Sequence, residues 1–558
     1  MTAAPLTGRF APGGRWLPAV LLALGIAIRL IVWHGNRSLW IDEATVAIGN
    51  LWKPFAATWG THDFGQISPF GWLSMVRLAT ELFGPSEPAL RLPTLLLAIG
   101  YLPAVWLLVR HLAGERAGLL ALAFTAVSPA LVRYSVELKP YGAEPLITVG
   151  VIAAFIHLIR RPLSVPAALG FGLLVGLGCW VSSAAVIVVA GGIPSVILAG
   201  TRRGAFAPDV WRRVLLGAVI GAAFSILYLG HLRLEPWLQA YVTAFWERGF
   251  LDPGGPQFAR RIWVAAMDLV SPTYFGHGGD LIPALLLVAI GFGVRQLIRI
   301  VDGPTVRMLT GPILILVGLA AVRIFPMGTR LSLFLAPILT LFLATGLAHW
   351  FEAARRPWFP ALVIAALLLN PASATYRMVV DPIGYQGHAR VVLEEMTRQR
   401  QPQDLVYVFA RATPEWFFYT TDWRQPDRTR IALVEAEYRY PNGRTSASGL
   451  PRGHAPAPIG DDLRYVYRGA TEVYGQYSGY IWRMGFLEHR SVDPGWALAE
   501  RERILRVRPT CVWLVGLHTA KVERAALRAA MVAGGYREWL DIAAGGSNVA
   551  RTCRDRPR

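Results

Sequence analysis

Long blocks of apolar residues constrain the fold of this chain more than any other feature. They lie near residues 16–34, 92–111, 117–132, 145–159, 165–181, 184–200, 214–230, 281–298, 308–324, 331–350 and 358–374. A helix needs roughly 17–25 such residues to cross a bilayer core, and lipid leaves the backbone few alternatives to a helix. Charged residues make up 16% of the 558 residues, whereas soluble proteins carry about 25%. The sequence therefore predicts a polytopic α-helical membrane protein with about eleven spans.

Arginines predict the orientation of these spans. Two precede the first block, and every second connection is short and arginine-rich: Arg9, Arg15, Arg110, Arg116, Arg160, Arg161, Arg202, Arg203, Arg212, Arg213, Arg295, Arg299, Arg307, Arg355 and Arg356. This is the positive-inside pattern, so the N-terminus is expected in the cytoplasm and, with an odd number of spans, the C-terminal region outside. The same arginines account for the net charge of +19, so no nucleic-acid partner is predicted. Because no small-residue cleavage motif follows it, Leu17–His34 is interpreted as a retained first span.

The first external loop, 35–91, has helical patterns of its own. Within Pro69–Phe83, apolar side chains recur on one side of a helix: Trp72, Met75, Val76, Ala79 and Phe83. This spacing predicts an amphipathic helix lying in the membrane interface. The stretch Ala44–Phe55 is a second candidate for such a helix.

Polar content rises after residue 375, which predicts a transmembrane domain over 1–375 and an extracytoplasmic domain over 376–558. Leu405–Ala410 and Cys511–Gly516 have the composition of buried strands, and Lys521–Ala533 that of a helix. Alternation of strand and helix favours a small α/β domain. Cys511 and Cys553 either form a disulfide in an oxidising compartment, or Cys511 is an ordinary buried strand residue.

Two adjacent acids follow the first span directly, in Ser38-Leu39-Trp40-Ile41-Asp42-Glu43-Ala44. Such a pair is either a solvated loop at the membrane edge or a catalytic site. Two adjacent like charges are unfavourable unless they serve a function. The arginine-rich loops that could pair with them lie on the opposite side of the membrane. Asp42 and Glu43 are therefore the leading catalytic candidates, and Trp40 is placed to anchor at the interface or contact substrate.

The external connection 133–144 concentrates charges and tyrosines between two spans. It is either a self-neutralising turn or the polar floor of an active site. In the second case Arg133 or Lys139 meets a phosphate, and Glu137 and Tyr141 contact substrate.

Arg330 lies at the start of a late span on the predicted external side, where the positive-inside rule does not predict arginine. It either binds lipid headgroups or holds the phosphate of a lipid-linked donor. His62 and Asp63 are weaker candidates: they either bind substrate or join a metal site, or they only make the loop polar. Arg29, inside the first span, is expected to snorkel or to pair with an external acid. No Cys/His cluster of metal-site spacing occurs, so no metal site is predicted.

Four motifs in this order resemble those of a known superfamily: Ser38–Ala44, Glu87–Pro93, Tyr134–Tyr141 and Gly328–Leu331. Together they are similar to the bacterial polyprenyl-phosphate-sugar glycosyltransferases of the GT-C superfamily, and within it to the dolichyl-phosphate-mannose protein mannosyltransferase-like branch. The resemblance covers roughly 15–375. Where many relatives have a Gln- and Pro-rich segment, this chain has His62–Pro69.

The resemblance implies transfer, with inversion, of a sugar from a polyprenyl-phosphate donor to a hydroxyl of an envelope glycan, lipid or protein. It places the reaction at the outer face of a bacterial cytoplasmic membrane. Asp42 would be the general base, Glu43 would hold the acceptor or Asp42, and Arg330 with Lys139 or Arg133 would stabilise the leaving phosphate. A divalent cation is compatible with this chemistry but not required by it.

Two other functions remain open from the sequence. A flippase or transporter of lipid-linked glycans predicts functional charges inside the spans and internal repeats. A glycan polymerase or ligase uses a diphosphate-linked donor. Few charges lie inside the apolar blocks and the candidate residues are all external, which favours the glycosyltransferase.

Overall fold

The structure is a computed structural model that carries side chains. It describes residues 16–59, 66–201, 208–234, 239, 242–243, 245–274, 281–328, 330–381, 388–426, 465–467, 470–474, 480–483, 486–492, 495–506, 508–519 and 521–554. The chain divides into two compact units. The first comprises Met1–Gly35, Ser68–Arg233 and Arg248–Val380, and the second Asn36–Ile67, Leu234–Glu247 and Asp381–Arg558. The predicted domain boundary between residues 375 and 376 stays a prediction.

The described α-helices are α1 (Leu17–His34), α2 (Ile41–Leu51), α3 (Phe70–Phe83), α4 (Glu87–Ala113), α5 (Glu115–Val127), α6 (Pro129–Ser135), α7 (Glu144–Arg160), α8 (Val165–Val181), α9 (Ala185–Gly200), α10 (Pro208–Leu227), α11 (Phe258–Tyr274), α12 (Leu281–Ile300), α13 (Gly303–Ala321), α14 (Ala336–Ala353), α15 (Trp358–Val380), α16 (Ala389–Gln399), α17 (Thr413–Thr420), α18 (Trp496–Leu505) and α19 (Lys521–Ala533). The described strands are β1 (Leu405–Val408), β2 (Tyr465–Tyr467), β3 (Ala470–Tyr474), β4 (Tyr480–Arg483), β5 (Phe486–Val492), β6 (Cys511–Val515), β7 (Arg537–Ala544) and β8 (Ser547–Cys553).

The first unit contains the membrane-spanning helices. Within the described residues, eight helices are long and apolar enough to cross a membrane, or nine if the bent pair α5 and α6 counts as one span. Helices α8 and α9 are apolar but shorter. Each of the apolar blocks seen in the sequence falls on one of these helices, which confirms the polytopic helical fold. The number of spans stays a prediction.

Helix α14 is the centre of this unit. The span Leu333–Ala353 is 89% buried, whereas α1 is 17% buried and faces outward. Gly346 of α14 lies against Gly293 of α12, with the backbones so close that a Cβ at either position would collide. Small residues at helix crossings allow the backbones to approach closely. The resulting van der Waals packing stabilises helix association, because lipid supplies no hydrophobic driving force between helices.

The span made by α5 and α6 is broken at Ser128, with a bend of 59°. Pro129 has no N–H to donate to the carbonyl of Thr125, so the proline frees that oxygen. Arg29 of α1, which is fully buried, donates to the carbonyl oxygens of Thr125 at 3.1 Å and Ala126 at 3.4 Å. The prediction that Arg29 snorkels or pairs with an external acid was wrong, because carbonyl groups freed by the helix break hold it inside the unit.

Helix α3 confirms that the first loop contains a helix over the predicted residues. Its side chains Trp72, Val76 and Ala79 are buried, and the indole of Trp72 donates to Thr94 Oγ1 at 3.0 Å. Phe83 is 65% exposed, so it does not share the buried side. The helix therefore packs its predicted apolar face on protein, chiefly α4. Its placement in the membrane interface stays a prediction.

The second unit contains a six-stranded sheet of order β2-β3-β1-β6-β8-β7. Strand β1 is parallel to both β3 and β6, while β8 is antiparallel to β6 and β7. The buried strands β1 and β6 and the helix α19 lie where the sequence predicted them, and they confirm a small C-terminal sheet domain. Cys511 and Cys553 face each other across β6 and β8 and form a disulfide.

Candidate active site

The predicted site residues lie in two clusters, one in each unit, and each cluster is described by itself. Asp42, Glu43 and Trp40 belong to the second unit; Arg133, Glu137, Lys139, Tyr141 and Arg330 belong to the first. His62 and Asp63 lie outside the described residues.

Asp42 lies in the first turn of α2. Trp40 is the N-cap in an extended conformation, and Asp42 and Glu43 are the acids of the first turn. Carboxylates are favoured there because the first N–H groups of a helix carry partial positive charge. Asp42 is partly exposed, whereas Glu43 is fully buried. Of the two adjacent acids, Asp42 is therefore the one that a substrate can reach.

Glu43 forms a buried ion pair with Arg37. Arg37 Nη1 donates to Glu43 Oε2 at 2.8 Å, and Arg37 is only 7% exposed. Asn36, which precedes Arg37, has a left-handed backbone with φ of 42°, a conformation that asparagine tolerates better than most residues. The turn folds Arg37 back onto the helix start. Glu43 is thus placed to order the segment that carries Asp42.

Residues that follow Val380 in the sequence hold the segment 36–40. Arg390 of α16 donates its guanidinium to the carbonyl oxygen of Asn36 at 2.8 Å and its backbone N–H to Ser38 Oγ at 3.2 Å. The backbone N–H of Leu39 donates to the Tyr419 hydroxyl at 2.7 Å. These contacts fix the backbone on the N-terminal side of the acid pair.

Trp40 and Glu415 complete the surroundings of Asp42. The ring of Trp40 lies 5.7 Å from that of His518. Glu415 in the first turn of α17 is 2% exposed. Burial, with a smaller contribution from the negative charge of Asp42, raises the pKa of Glu415 to about 8. Asp42 therefore has a neutral carboxylic acid as its neighbour at pH 7.

In the first unit, the connection 133–144 forms a compact cationic and aromatic cluster. Arg133 Nε lies 3.5 Å from Glu137 Oε2, and Glu137 is fully buried. The Arg133 guanidinium also lies over the Tyr134 ring, at 5.5 Å. The ring of Tyr134 meets that of Tyr141 edge-on, with centroids 5.7 Å apart. Gly142 packs so tightly against the backbone of Tyr134 that a side chain there would collide.

Arg330 joins this cluster through Tyr141. Its guanidinium lies 5.8 Å from the Tyr141 ring centroid, and the side chain is partly exposed. Stacking on an aromatic face orients a guanidinium. Two partly exposed arginines, Arg133 and Arg330, thus flank a pair of tyrosines, which is an arrangement suited to an anionic headgroup.

Lys139 is the most enclosed cation of the cluster, at 5% exposed. Its carbonyl oxygen accepts from Thr94 Oγ1 at 3.3 Å, and Thr94 in turn receives the indole N–H of Trp72. The connection 133–144 is thereby tied to α3 and α4.

Sequence reasoning missed Arg37, Arg390, Tyr419 and Glu415. Arg37 directly precedes the motif and offered a weak signal, since a lone arginine beside two acids often pairs with one of them. The other three are far away in sequence and no local pattern indicated them. In the described part of the chain no three His, Cys, Asp or Glu side chains form a group that would hold a metal ion.

The comparisons support the class that the motifs suggested. Residues 68–229 match the family model described as dolichyl-phosphate-mannose-protein mannosyltransferase. The matched region begins just before α3 and ends just after α10. It includes the connection 133–144. The match confirms the predicted resemblance over these residues, and the polytopic helical fold agrees with it.

Among solved structures, the fold is similar to that of ArnT from Cupriavidus metallidurans. ArnT bound to undecaprenyl phosphate is 13% identical with a TM-score of 0.51, and the similarity covers 97% of this chain and 98% of that chain. Apo ArnT is 14% identical with a TM-score of 0.49, and the similarity covers 96% of this chain and 98% of that chain. The Archaeoglobus fulgidus oligosaccharyltransferase complexed with Zn and sulfate is 12% identical with a TM-score of 0.44, and the similarity covers 96% of this chain and 72% of that chain. No curated protein matches the sequence.

Proposed function

We propose that this protein transfers a sugar from a polyprenyl-phosphate donor to a hydroxyl of an envelope glycan, lipid or protein. The observation that carries the proposal is the contrast between the two adjacent acids: Glu43 is buried in an ion pair, while Asp42 is partly exposed on a segment held from several sides. The undecaprenyl phosphate in the ArnT structure of similar fold supports a polyprenyl-phosphate donor. The positive-inside pattern supports a reaction at the outer face of the cytoplasmic membrane.

Asp42 acts as the general base. It takes the proton of the acceptor hydroxyl while the hydroxyl oxygen attacks the anomeric carbon from the side opposite the phosphate. The new carbon–oxygen bond forms as the bond from the anomeric carbon to the phosphate oxygen breaks, so the configuration inverts. The leaving polyprenyl phosphate takes the electron pair and gains negative charge.

The cationic cluster of the first unit stabilises that leaving group. Arg330 and Arg133 offer guanidinium N–H groups that match phosphate oxygens, and Lys139 adds a positive charge. Tyr141 orients Arg330 by stacking, and Glu137 orients Arg133 through the ion pair. Charge stabilisation by preorganised donors lowers the barrier because no reorientation is needed during the reaction.

The test is release of polyprenyl phosphate by the purified full-length protein in lipid. A panel of polyprenyl-monophosphate sugars is supplied as donors and crude envelope glycans as acceptors. Asp42→Asn should lower acceptor-dependent release by roughly 10²–10⁴-fold, the usual contribution of a positioned base. Asp422→Asn, the same change at an exposed aspartate of the second unit, should leave release unchanged.

Three outcomes contradict the proposal. Release that survives Asp42→Asn removes Asp42 as the base. Release only from diphosphate-linked donors indicates a polymerase or ligase. Movement of lipid-linked glycan across the bilayer with no release from any donor indicates a flippase.

A further inference from the structure

We infer that the arginine-rich ends of α4 and α7 form a binding site for an anionic phospholipid. The site would hold the lipid phosphate at Arg160 and one acyl chain in the groove between the two helices. Such binding goes beyond the proposed reaction and does not depend on it. The positive-inside pattern predicts that this end of the helices faces the cytoplasm, so the lipid would belong to the cytoplasmic leaflet.

The groove between α4 and α7 has apolar walls along most of its length. Its volume is about 520 Å³, within the roughly 300–1,000 Å³ of sites that bind small molecules. Leu107 and Ala153 are exposed, so the groove opens on the outer surface of the unit, where a lipid can enter from the side. The walls are formed at helical spacing by Ala104, Leu107 and Leu108 of α4 and by Val149, Ala153 and Ile156 of α7.

The groove is about as long as one leaflet is deep. On α7 its lining runs from Val149 to Arg160, a rise of about 16 Å at about 1.5 Å per residue. Half of a bilayer hydrocarbon core is about 15 Å. Beyond the apolar end the helices come into direct contact, since a Cβ on Gly100 of α4 would lie 3.3 Å from Leu146 of α7. The groove therefore has the length of an acyl chain that runs from the membrane surface toward the bilayer centre.

The other end of the groove is cationic. Two arginines and two histidines line it: Arg160, Arg161, His111 and His157. Arg160 Nη1 donates to His111 Nε2 at 2.9 Å. Because a guanidinium has only donors, the ring of His111 accepts through Nε2 and adds no charge of its own in this contact. His111 therefore fixes the direction of the Arg160 guanidinium without cancelling its positive charge.

Asp302 is the acid that pairs with Arg160, and it offsets little of this charge. Arg160 Nε lies 3.9 Å from Asp302 Oδ2, and the two side chains are 42% and 35% exposed. Exposed ion pairs of this kind are weak. The other oxygen of Asp302 accepts the N–H of Thr305 at the N-terminus of α13. A phosphate between Arg160 and Arg161 would thus meet guanidinium groups whose N–H donors match its oxygens.

This site is separate from the cationic cluster of the connection 133–144. That connection precedes α7, whereas Arg160 is the last residue of the helix. With 17 residues, α7 is about 25 Å long, so the two cationic regions lie at opposite ends of one helix. Basic pockets between helices on the cytoplasmic side suit the headgroups of anionic lipids. The occupant is therefore a diacyl phospholipid with an anionic headgroup, and not the sugar donor.

The test is photo-cross-linking of the purified full-length protein in detergent. The probe is a phosphatidylglycerol with a photoreactive group at the end of one acyl chain, and mass spectrometry of peptides locates the cross-link. The label should map to 104–108 and 149–153. Unlabelled phosphatidylglycerol should compete. Phosphatidylcholine should compete roughly 10–30-fold more weakly, because each of the two arginines favours an anionic lipid by about fivefold. Polyprenyl phosphate and inorganic phosphate should not compete at the same concentration.

Two variants separate the headgroup from the acyl chain. Arg160→Gln should weaken the binding of phosphatidylglycerol by about fivefold, the contribution of one basic residue near an anionic lipid. Ala153→Phe places a ring in the groove and should abolish the cross-link. The matched controls are Arg299→Gln, at an exposed arginine in the last turn of α12, and Ala366→Phe, at an exposed alanine of α15. Both controls should bind the probe as the wild type does.

Four results overturn the inference. Equal competition by phosphatidylcholine, or unchanged binding in Arg160→Gln, would mean that only unspecific surface lipid is labelled. Stronger competition by polyprenyl phosphate would assign the groove to the carrier lipid, and competition by inorganic phosphate would assign the cationic end to a free anion. The competition series uses the wild-type protein, so it is decisive even if a substitution weakens folding. None of these measurements needs a sugar donor, so failure of the proposed glycosyl transfer would leave them unaffected.

Discussion

Asp42 and Glu43 are neighbours in sequence and chemically alike, but the fold separates their roles. Burial places Glu43 in an ion pair with Arg37, and Asp42 remains accessible. A motif of two acids therefore contains one buried residue in a structural ion pair and one accessible residue for the proposed chemistry. The sequence prediction treated Glu43 as an aid to the acceptor or to Asp42; its burial makes the second of these the more direct interpretation.

Breaking the Arg37–Glu43 pair from one side should be strongly destabilising. Glu43→Ala removes the carboxylate that pairs with the buried Arg37 guanidinium at 2.8 Å, at a cost of about 3–5 kcal/mol. Thermal unfolding of the full-length protein, with hydrogen exchange of residues 36–50, measures the effect. The double variant Arg37→Met/Glu43→Leu removes both charges and should recover most of the lost stability. Equal damage in the single and double variants would contradict this account.

At the scale of elements, the break between α5 and α6 is a local feature that determines contacts with residues far away in the sequence. One helix ends and another begins at Ser128-Pro129, and Ser128 Oγ caps α6 by accepting the N–H of Leu131 at 3.3 Å. The break leaves carbonyl groups that need donors inside the unit. Arg29 and Thr375, whose hydroxyl donates to the Val127 carbonyl at 2.8 Å, supply them.

Arg29→Met should destabilise the first unit. The change keeps a long side chain but leaves the carbonyls of Thr125 and Ala126 unsatisfied in a dry interior, which costs on the order of 2–7 kcal/mol. Thermal unfolding in detergent or lipid measures the loss. Arg307→Met, at an exposed arginine, is the matched control and should change stability little. An Arg29→Met protein as stable as the control would mean that the Arg29 contacts do not stabilise the break between α5 and α6.

Periodicity and turn chemistry were enough to predict the apolar helices, the helix 70–83, strands β1 and β6 and helix α19. They also predicted that Arg133, Tyr141 and Arg330 lie on the same face of the membrane domain, and the structure places the Arg330 guanidinium 5.8 Å from the Tyr141 ring centroid. The support of Asp42 was not predictable. Glu415 is one acid in an aromatic-rich helix, and Tyr419 meets Leu39 across 380 residues of sequence. Pairings of this kind depend on tertiary packing, which leaves no local pattern.

At the scale of the whole molecule, the disulfide of the second unit bears on the compartment predicted for this unit. Cys511 and Cys553 link β6 to β8, two neighbouring strands of the six-stranded sheet. Disulfides persist in oxidising compartments. The bond therefore agrees with the prediction that the C-terminal domain is extracytoplasmic.

Removal of the disulfide should weaken the sheet. The two cysteines are 42 residues apart, so the chain-entropy account gives a loss of about 4 kcal/mol on Cys553→Ser. Hydrogen exchange of β6 and β8 should rise, while exchange in the helices of the first unit should not. Cys179→Ala, at a buried thiol of α8, is the control for loss of a cysteine. Unchanged protection of β6 and β8 in Cys553→Ser would contradict the expectation.

The contact that holds Leu39 also sets an order of events during synthesis. The segment 36–44 leaves the ribosome before its partner Tyr419, which follows 380 residues later. At about 5–20 residues per second, that delay is roughly 20–80 seconds. Asp42 is thus made long before its surroundings are complete, so a nascent chain would carry the helices of the first unit before the segment 36–44 acquired its final contacts.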